Sequence, residues 1–338
     1  MSMNEHTVKG TNQPVHDPSG ETGPGQDDTA SAVHGTDINS EEVDASLDQA
    51  LSPLWARVLA PLPLPVIRGL GRAAGYMLYA LAGKRRHIVA TNLKLCFPDL
   101  PMAKRKRLAR EVFVAFSQSL LDRAWLWHGS AQVVAERLHL SGNWQHLIDD
   151  PDQAQVLFAP HFVGLDAGWT ALNLHLHGQR SFSTIYAKQN KPRLDAWIVS
   201  GRSRFGQPAL LARQGLGKSI VQVLRGGAAL YLLPDMDLGA RDAVFVPFFG
   251  VPAATVTSLP RLAAMGKTGV TPVTTRMTSA GYNVHIGASW PNYPSGDHHA
   301  DAATMNRHLE TMVQAMPHQY YWVHKRFKTR PEGEAGLY

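Results

Sequence analysis

An α/β fold, with a mostly parallel central sheet flanked by helices, follows from three observations on this chain. Strand-like apolar runs at Val156 to Ala159, Ser181 to Tyr186, Ala228 to Leu233, Val270 to Thr275 and Tyr282 to Ile286 alternate with helix-like runs. Those helical runs are Leu194 to Arg204, Lys218 to Leu224, Thr255 to Ala264 and Ala303 to Met316, and the alternation is that of a parallel sheet covered on both faces. The third observation is an apolar, proline-broken stretch ahead of the first strand, which reads as helices associated with a membrane surface. At 338 residues and 44% hydrophobic, the chain is long enough to bury a large core.

Residues 1–48 hold ten acidic side chains against Lys9 alone, are rich in Gly, Ser, Thr, Asp and Pro, and almost lack aromatics. Such a composition buries too little apolar surface to offset its ordering entropy, so a disordered acidic tail is expected. It lacks the basic start and apolar centre of a signal peptide. Residues 51–338 then carry 32 basic and 17 acidic side chains. That excess favours an anionic partner, whether nucleic acid, an anionic bilayer, a phosphorylated substrate or an acidic carrier protein. Cys96 is the only cysteine, which excludes a disulfide within the chain and points to a reducing compartment.

Residues 49–83 form the expected membrane-associating segment. From Leu51 it reads LSPLWARVLAPLPLPVIRGLGRAAGYMLYALAG, with Arg57, Arg68 and Arg72 as its only charges. Pro61, Pro63 and Pro65 interrupt it before about 18 apolar residues accumulate, so two short helices lying in the headgroup layer suit it better than a spanning helix. A buried helical hairpin is the alternative. Lys84, Arg85 and Arg86 follow at once. Ala103 to Trp127 is a long helix with a buried stripe at Leu108, Val112, Phe116 and Leu120 and a basic first turn.

The chemistry centres on Gln155 to Gly168, QVLFAPHFVGLDAG. A buried strand ends at Pro160, His161 follows, and Leu165, Trp169, Leu172 and Leu176 then mark one face of a helix. His161 therefore sits where strand becomes helix, a place where α/β proteins put their sites. His161 and Asp166 are separated by about 140° on a regular helix. They meet only if His161 precedes the first turn and Asp166 reaches back. In that arrangement a neutral imidazole serves as general base and a carboxylate fixes its tautomer. No Gly-x-Ser-x-Gly nucleophile is present, so the attacking hydroxyl has to belong to the substrate.

Ala212 to Ser219, ARQGLGKS, imitates a phosphate-binding loop, and AALYLLPD at Ala228 to Asp235 imitates the strand whose acid holds magnesium. Alanine stands where the first glycine belongs, and the strand before it is short and contains Pro208, so an NTPase is a remote alternative. His175, His177, His298 and His299 lack cysteine or carboxylate at ligand spacing, and no metal is expected. Arg202 and Arg204 end a helix and suit phosphate or carboxylate recognition. Asp235 and Asp237 end an apolar strand. Phe245, Val246, Pro247, Phe248, Phe249 and Gly250 then form a greasy turn before a helix capped near Thr255. These aromatics read equally as core or as the lining of an acyl-chain channel.

His161-x4-Asp166, then Gly201, Arg202 and Arg204, then PDMDLG and VFVPFFGVPAAT, resemble the lipid A biosynthesis acyltransferases of the lauroyl/myristoyl type. NLKLCFPDL at Asn92 to Leu100 and WVHKRFKTRP at Trp322 to Pro331 resemble that family's flanking blocks, in consistent order from about Trp55 to Pro331. The resemblance implies a glycerolipid-acyltransferase-like αβα domain over residues 84–331, followed by a C-terminal tail at 332–338. It implies acyl transfer from acyl-ACP to a hydroxyl of a phosphorylated, Kdo-bearing lipid A precursor, at the cytoplasmic face of a bacterial inner membrane. No cofactor and no nucleic-acid partner are implied, and the basic body then serves the anionic membrane surface, the phosphorylated acceptor and the acidic carrier. His161 and Asp166 would be catalytic. Arg202, Arg204, Asp235, Asp237, Phe248, Phe249, Gly250 and Thr255 would bind substrate. A related enzyme acting on another glycolipid or on a glycerolipid is the main rival.

Overall fold

The computed structural model describes residues 53–213 and 216–338. The acidic tail expected at 1–48 lies outside them, as do Gln214 and Gly215 of the loop that imitates a phosphate site. Two helices meet at the prolines as expected: α1, Leu54–Leu59, and α2, Leu64–Leu81, with Pro65 in the first turn of α2. There its missing N–H costs nothing. The helix α3, Gly83–Cys96, follows after Ala82, and α4, Met102–His128, is the long helix of the basic first turn.

One face of α2, at Leu64, Ile67, Gly71 and Gly75, is buried against α4. A Cβ on Gly71 would stand 2.7 Å from the Gln118 Cα, and one on Gly75 would stand 2.5 Å from the Val114 Cα. Only hydrogen fits at these crossings, so the two backbones lie in contact. Arg68 of α2 and Asp122 of α4 form a buried ion pair 2.9 Å apart, and Tyr282 and Trp125 donate to the same carboxylate. Ala56, Leu64 and Ile67 belong to the same apolar cluster as Leu157 and Ala171, so this segment is part of the folded body. Among the described residues, no helix is long and apolar enough to cross a membrane.

After α5, Ala131–Arg137, come β1, Leu138–Gly142, the short α6, His146–Asp149, and β2, Gln155–Phe158. The chain continues through α7, Leu165–His175; β3, Phe182–Tyr186; α8, Pro192–Ser203; β4, Ala209–Ala212; α9, Leu216–Arg225; and β5, Ala229–Leu232. A hairpin of β6, Ala243–Phe248, and β7, Val251–Val256, precedes α10, Ser258–Met265. The strands β8, Val270–Thr278, and β9, Gly281–Ile286, lead to α11, His298–Ala315.

Seven of these strands form one sheet in the order β1-β9-β8-β2-β5-β3-β4. Every neighbouring pair is parallel except β8–β9. All of β5, and all of β2 but Gln155, is buried, which explains their unbroken apolar runs. The order matters for the site. The chain leaves β2, builds β3 and β4 to one side, then returns to place β5 between β2 and β3. The C-terminal ends of β2 and β5 consequently open side by side, in the register Phe158↔Leu232. Ligands in open α/β sheets bind outside such strand ends.

The greasy turn expected before a helix is instead the tip of the β6–β7 hairpin. Phe249 and Gly250, at φ 51° and 75°, make a two-residue connection between Phe248 and Val251. Positive φ at both positions matches the right-handed twist of a hairpin, yet Phe-Gly carries a weaker turn signal than Asn-Gly. Pro247 and Pro252, paired across it, further disguise the strands. Thr255 therefore lies in β7, and the helix begins three residues later, at Ser258.

Candidate functional site

His161 is held by strand ends and by a returning segment. Ala159 N–H donates to Leu232 O at 2.9 Å, extending the β2–β5 ladder one residue past the strand. Beyond Pro160 the chain turns away from the sheet. There Phe162 bridges to Tyr320, Val163 N–H donates to Gln319 O at 2.8 Å, and Tyr321 N–H donates to His161 O at 3.0 Å. The segment 319–321 thus runs antiparallel to 161–163 and clamps it.

The imidazole meets Asp235, not Asp166. His161 Nδ1 lies 2.7 Å from Asp235 Oδ1, and the His161 backbone N–H reaches both carboxylate oxygens, at 3.0 and 3.2 Å. Each residue stands three positions past its strand, in a register that puts Phe158 beside Leu232. Sheet pairing, rather than helical spacing, brings imidazole and carboxylate together. Burial works against ionisation of Asp235, but His161 outweighs it and holds the carboxyl below its ordinary range. An ionised carboxylate only accepts, so Nδ1 carries the hydrogen and Nε2 is the basic nitrogen. The carboxylate is wholly buried, while the imidazole is 21% exposed.

Asp166 has a different office. In the first turn of α7 it accepts from Arg123 of α4 through Nε at 2.9 Å and Nη2 at 2.7 Å. Arg202 of α8 reaches its other oxygen through Nε at 2.9 Å and Nη2 at 2.8 Å. Burial opposes the charge, but Arg202 and Arg123 prevail and draw the pKa down to about 2. Two guanidinium groups on one carboxylate leave a net positive site that is partly open to solvent. The expected His161–Asp166 contact gives way because α7 turns Asp166 toward α4 and α8.

The other residues marked in the sequence divide. Arg204 donates to Leu126 O at 3.0 Å and to Gly129 O, so it caps the C-terminal end of α4. Asp237 accepts from Thr329 N at 2.6 Å, Thr329 Oγ1 at 2.8 Å and Gly239 N at 3.0 Å, stapling its own loop to the C-terminal segment. Phe248 is fully buried among Tyr320, Trp322 and Phe327. Phe249, next to Gly250 at the hairpin tip, packs on Phe97 with ring centroids 5.0 Å apart. The Thr255 hydroxyl donates to Ala253 O and accepts from Asn306 and Arg326 inside the protein.

Four residues beside the site escaped the sequence reading. Arg123 and Asp122 are charges set in the apolar stripe LLDRAWLW, and charges in such a place need partners. Tyr320 donates to Asp235 Oδ2 at 3.0 Å. His324 Nε2 accepts from Asp237 N–H at 3.1 Å. Burial lowers the His324 pKa to about 4 and keeps that ring neutral. A depression lined by Gly217, Lys218, Val221, Gln222 and Arg225 lies on α9 and includes none of these groups. Asp235, the acid an NTPase would give to magnesium, is already taken by His161.

Residues 50–329 match the model of the family described as bacterial lipid A biosynthesis acyltransferase. The lipid A biosynthesis palmitoleoyltransferase of Escherichia coli K12 is 31% identical over 300 residues, covering 85% of this chain and 92% of the relative. The lauroyltransferase of the same organism is 31% identical over 290 residues, with 84% and 92% covered. Its myristoyltransferase is 28% identical over 286 residues, with 81% and 83% covered.

Proposed function

Because this chain belongs to the bacterial lipid A biosynthesis acyltransferases, and is therefore an acyltransferase, we propose a direct transfer in which the acceptor lipid supplies the nucleophile. The donor is an acyl-ACP thioester and the acceptor a hydroxyl of a Kdo-lipid IVA-type precursor, at the cytoplasmic face of the inner membrane. His161 Nε2 takes the hydroxyl proton as the oxygen attacks the thioester carbonyl. The new C–O bond forms, the tetrahedral intermediate collapses, the C–S bond breaks, and His161 returns the proton to the departing thiolate. Asp235 holds the Nδ1–H tautomer and stabilises the transient imidazolium. The carrying observation is the 2.7 Å contact between His161 Nδ1 and Asp235 at two adjacent strand mouths. Arg202, joined by Arg123, is the proposed site for an acidic group of the acceptor, with Asp166 holding the two arginines in place.

The deciding experiment is mass spectrometry of lipid A from cells lacking this gene and from cells regaining it. One acyl chain returns with the native gene and does not return with His161→Ala. An unchanged lipid A mass overturns the acceptor assignment, and a new acylated species elsewhere in the lipid extract would name another glycolipid or a glycerolipid instead.

Membrane association rests on the face of α2 turned away from α4. Val66, Leu70, Met77 and Leu81 are between 46% and 77% exposed and fall within an arc of about 60° on the helix. Leu54 and Val58 of α1 and Met102 of α4 add exposed apolar surface, and Lys84, Lys104, Lys106 and Arg107 are exposed nearby in the chain. An apolar stripe with basic residues suits a helix lying on an anionic bilayer. Deleting 51–83 would also strip Ala56, Leu64 and Ile67 from the core, so point substitutions are the cleaner probe. Serine at Val66, Leu70, Met77 and Leu81 together is expected to abolish co-sedimentation with anionic vesicles while the thermal transition stays near native. Unaltered sedimentation would place the contact elsewhere.

A further inference from the structure

We propose that Tyr320 is a positioning residue of the transfer reaction, its hydroxyl fixing the Asp235 carboxylate so that Oδ1 faces His161 Nδ1. The inference rests on the reading of His161 as the base and adds a third side chain to it. Asp235 Oδ1 accepts from His161 Nδ1 at 2.7 Å and from the His161 backbone at 3.2 Å. Oδ2 accepts from the same backbone N–H at 3.0 Å and from Tyr320 Oη at 3.0 Å. Among the described residues, Tyr320 is the one side chain besides His161 that hydrogen-bonds this carboxylate. Without it, His161 supplies the remaining side-chain contact to the carboxylate.

The phenol is itself held in place. Tyr320 enters the site through its bridge to Phe162, flanked by hydrogen bonds to Val163 and His161. Its ring packs against Trp322, Phe162 and Phe248, with centroids 4.9, 5.5 and 6.2 Å away. Burial, followed by the Asp235 charge, raises its pKa well above the ordinary phenol value, so the group stays an O–H donor. A hydrogen bond to a buried charged group is among the stronger kinds, and it draws negative charge from the side of the carboxylate that faces the imidazole.

Removing the hydroxyl has a signed consequence. The carboxylate keeps more negative charge, favours the imidazolium more, and moves the acid limb of the rate profile to higher pH. Asp235→Asn removes the charge and moves that limb the other way. The groups facing His161 and Tyr320 are Asp235 from the segment after β5, Tyr321, His324 and Arg326 from the returning segment, and Cys96 from α3, with Asp237 against His324. His324 is kept neutral by burial, and burial likewise raises the Cys96 pKa and keeps its thiol protonated.

The test is Tyr320→Phe in the full chain, which keeps the ring and its packing. Expected are a fall in kcat of about tenfold, a KM within about twofold of native, and an acid limb displaced upward. A native kcat and acid limb would overturn the proposal. So would a lowered kcat with an unmoved limb, because loss through packing alone leaves the imidazole's charge balance untouched. Nitrogen NMR of the histidine rings gives a reading independent of turnover. Tyr320→Phe is expected to alter the Nδ1–H signal of His161, assigned by its loss in His161→Ala, and an identical signal would overturn the proposal. Native turnover of His161→Ala would instead sink the general-base reading, while the NMR result would still report on the Tyr320–Asp235–His161 link.

Discussion

Alanine at position 161 is expected to lower acyl transfer by about 10²–10⁴-fold, the usual worth of a positioned general base. Asparagine at position 235 is expected to cost a similar amount for a different reason. Asp235 accepts the Nδ1 hydrogen and thereby leaves Nε2 as the base. An amide nitrogen at the same place would donate to Nδ1 and move the ring hydrogen to Nε2, the wrong tautomer. Substitution of this kind in a catalytic triad costs up to about 10⁴-fold while the geometry survives. Single-turnover transfer from an acyl-ACP thioester, measured on folded protein, is the appropriate assay. Near-native turnover of Asp235→Asn would remove Asp235 from the mechanism and return the orienting role to some other acceptor. Both effects concern chemistry, so thermal stability should change far less than rate.

Asp166→Asn is expected to show the opposite balance, a large loss of stability with activity following it. Two guanidinium groups, side chains 28% and 21% exposed, converge on this one buried carboxylate. Removing one partner of a buried pair costs about 3–5 kcal/mol, and the partial exposure of the arginines brings the expectation nearer about 2–4 kcal/mol. The pH dependence has a definite sign. The folded pKa of about 2 lies below an unfolded value near 3.9. The carboxylate therefore contributes stability at pH above about 4, and loses that contribution as the pH falls from about 4 toward 2. A shift of this size corresponds to about 2–3 kcal/mol. Asp235 is also depressed and adds to the acid slope, so the informative quantity is the difference between the native protein and Asp166→Asn. Chemical denaturation across pH 2–7 reads it. Equal slopes below pH 4, with no loss at neutral pH, would show that the arginines do not depend on Asp166.

The two results together separate residues that one motif places side by side. His161 and Asp166 are five positions apart and look like partners, yet each side chain is committed elsewhere. The motif is thus divided between the proposed base at the strand mouth and an acid that locks α7 to α4 and α8. That lock sits beside the proposed base in the chain, which is one reason a substitution at Asp166 is expected to carry over into activity.

Much of this was legible in the linear pattern. The apolar runs around β2 and β5 announced buried strands, because a strand covered on both faces has no polar side to alternate with, while β3, β8 and β9 were announced by their β-branched and aromatic residues. Prolines 61, 63 and 65 announced the break between α1 and α2, and the step from Phe158 through Pro160 to Leu165 placed His161 at a strand-to-helix turn. The β6–β7 hairpin was hidden because prolines interrupt both strands and a phenylalanine occupies a positive-φ turn position.

The amino-acid order by itself determined most of the strands and helices around the central sheet and that His161 stands at a strand's mouth, since both follow from local periodicity and turn chemistry. Only the tertiary structure decided which carboxylate serves it. Asp235 is 74 residues away along the chain, and it arrives because β5 is inserted beside β2 in a register set by the packing of the whole sheet. Spacing along a helix governs neighbours within one element. Pairing between strands is settled by the global burial of apolar faces, which no local pattern specifies.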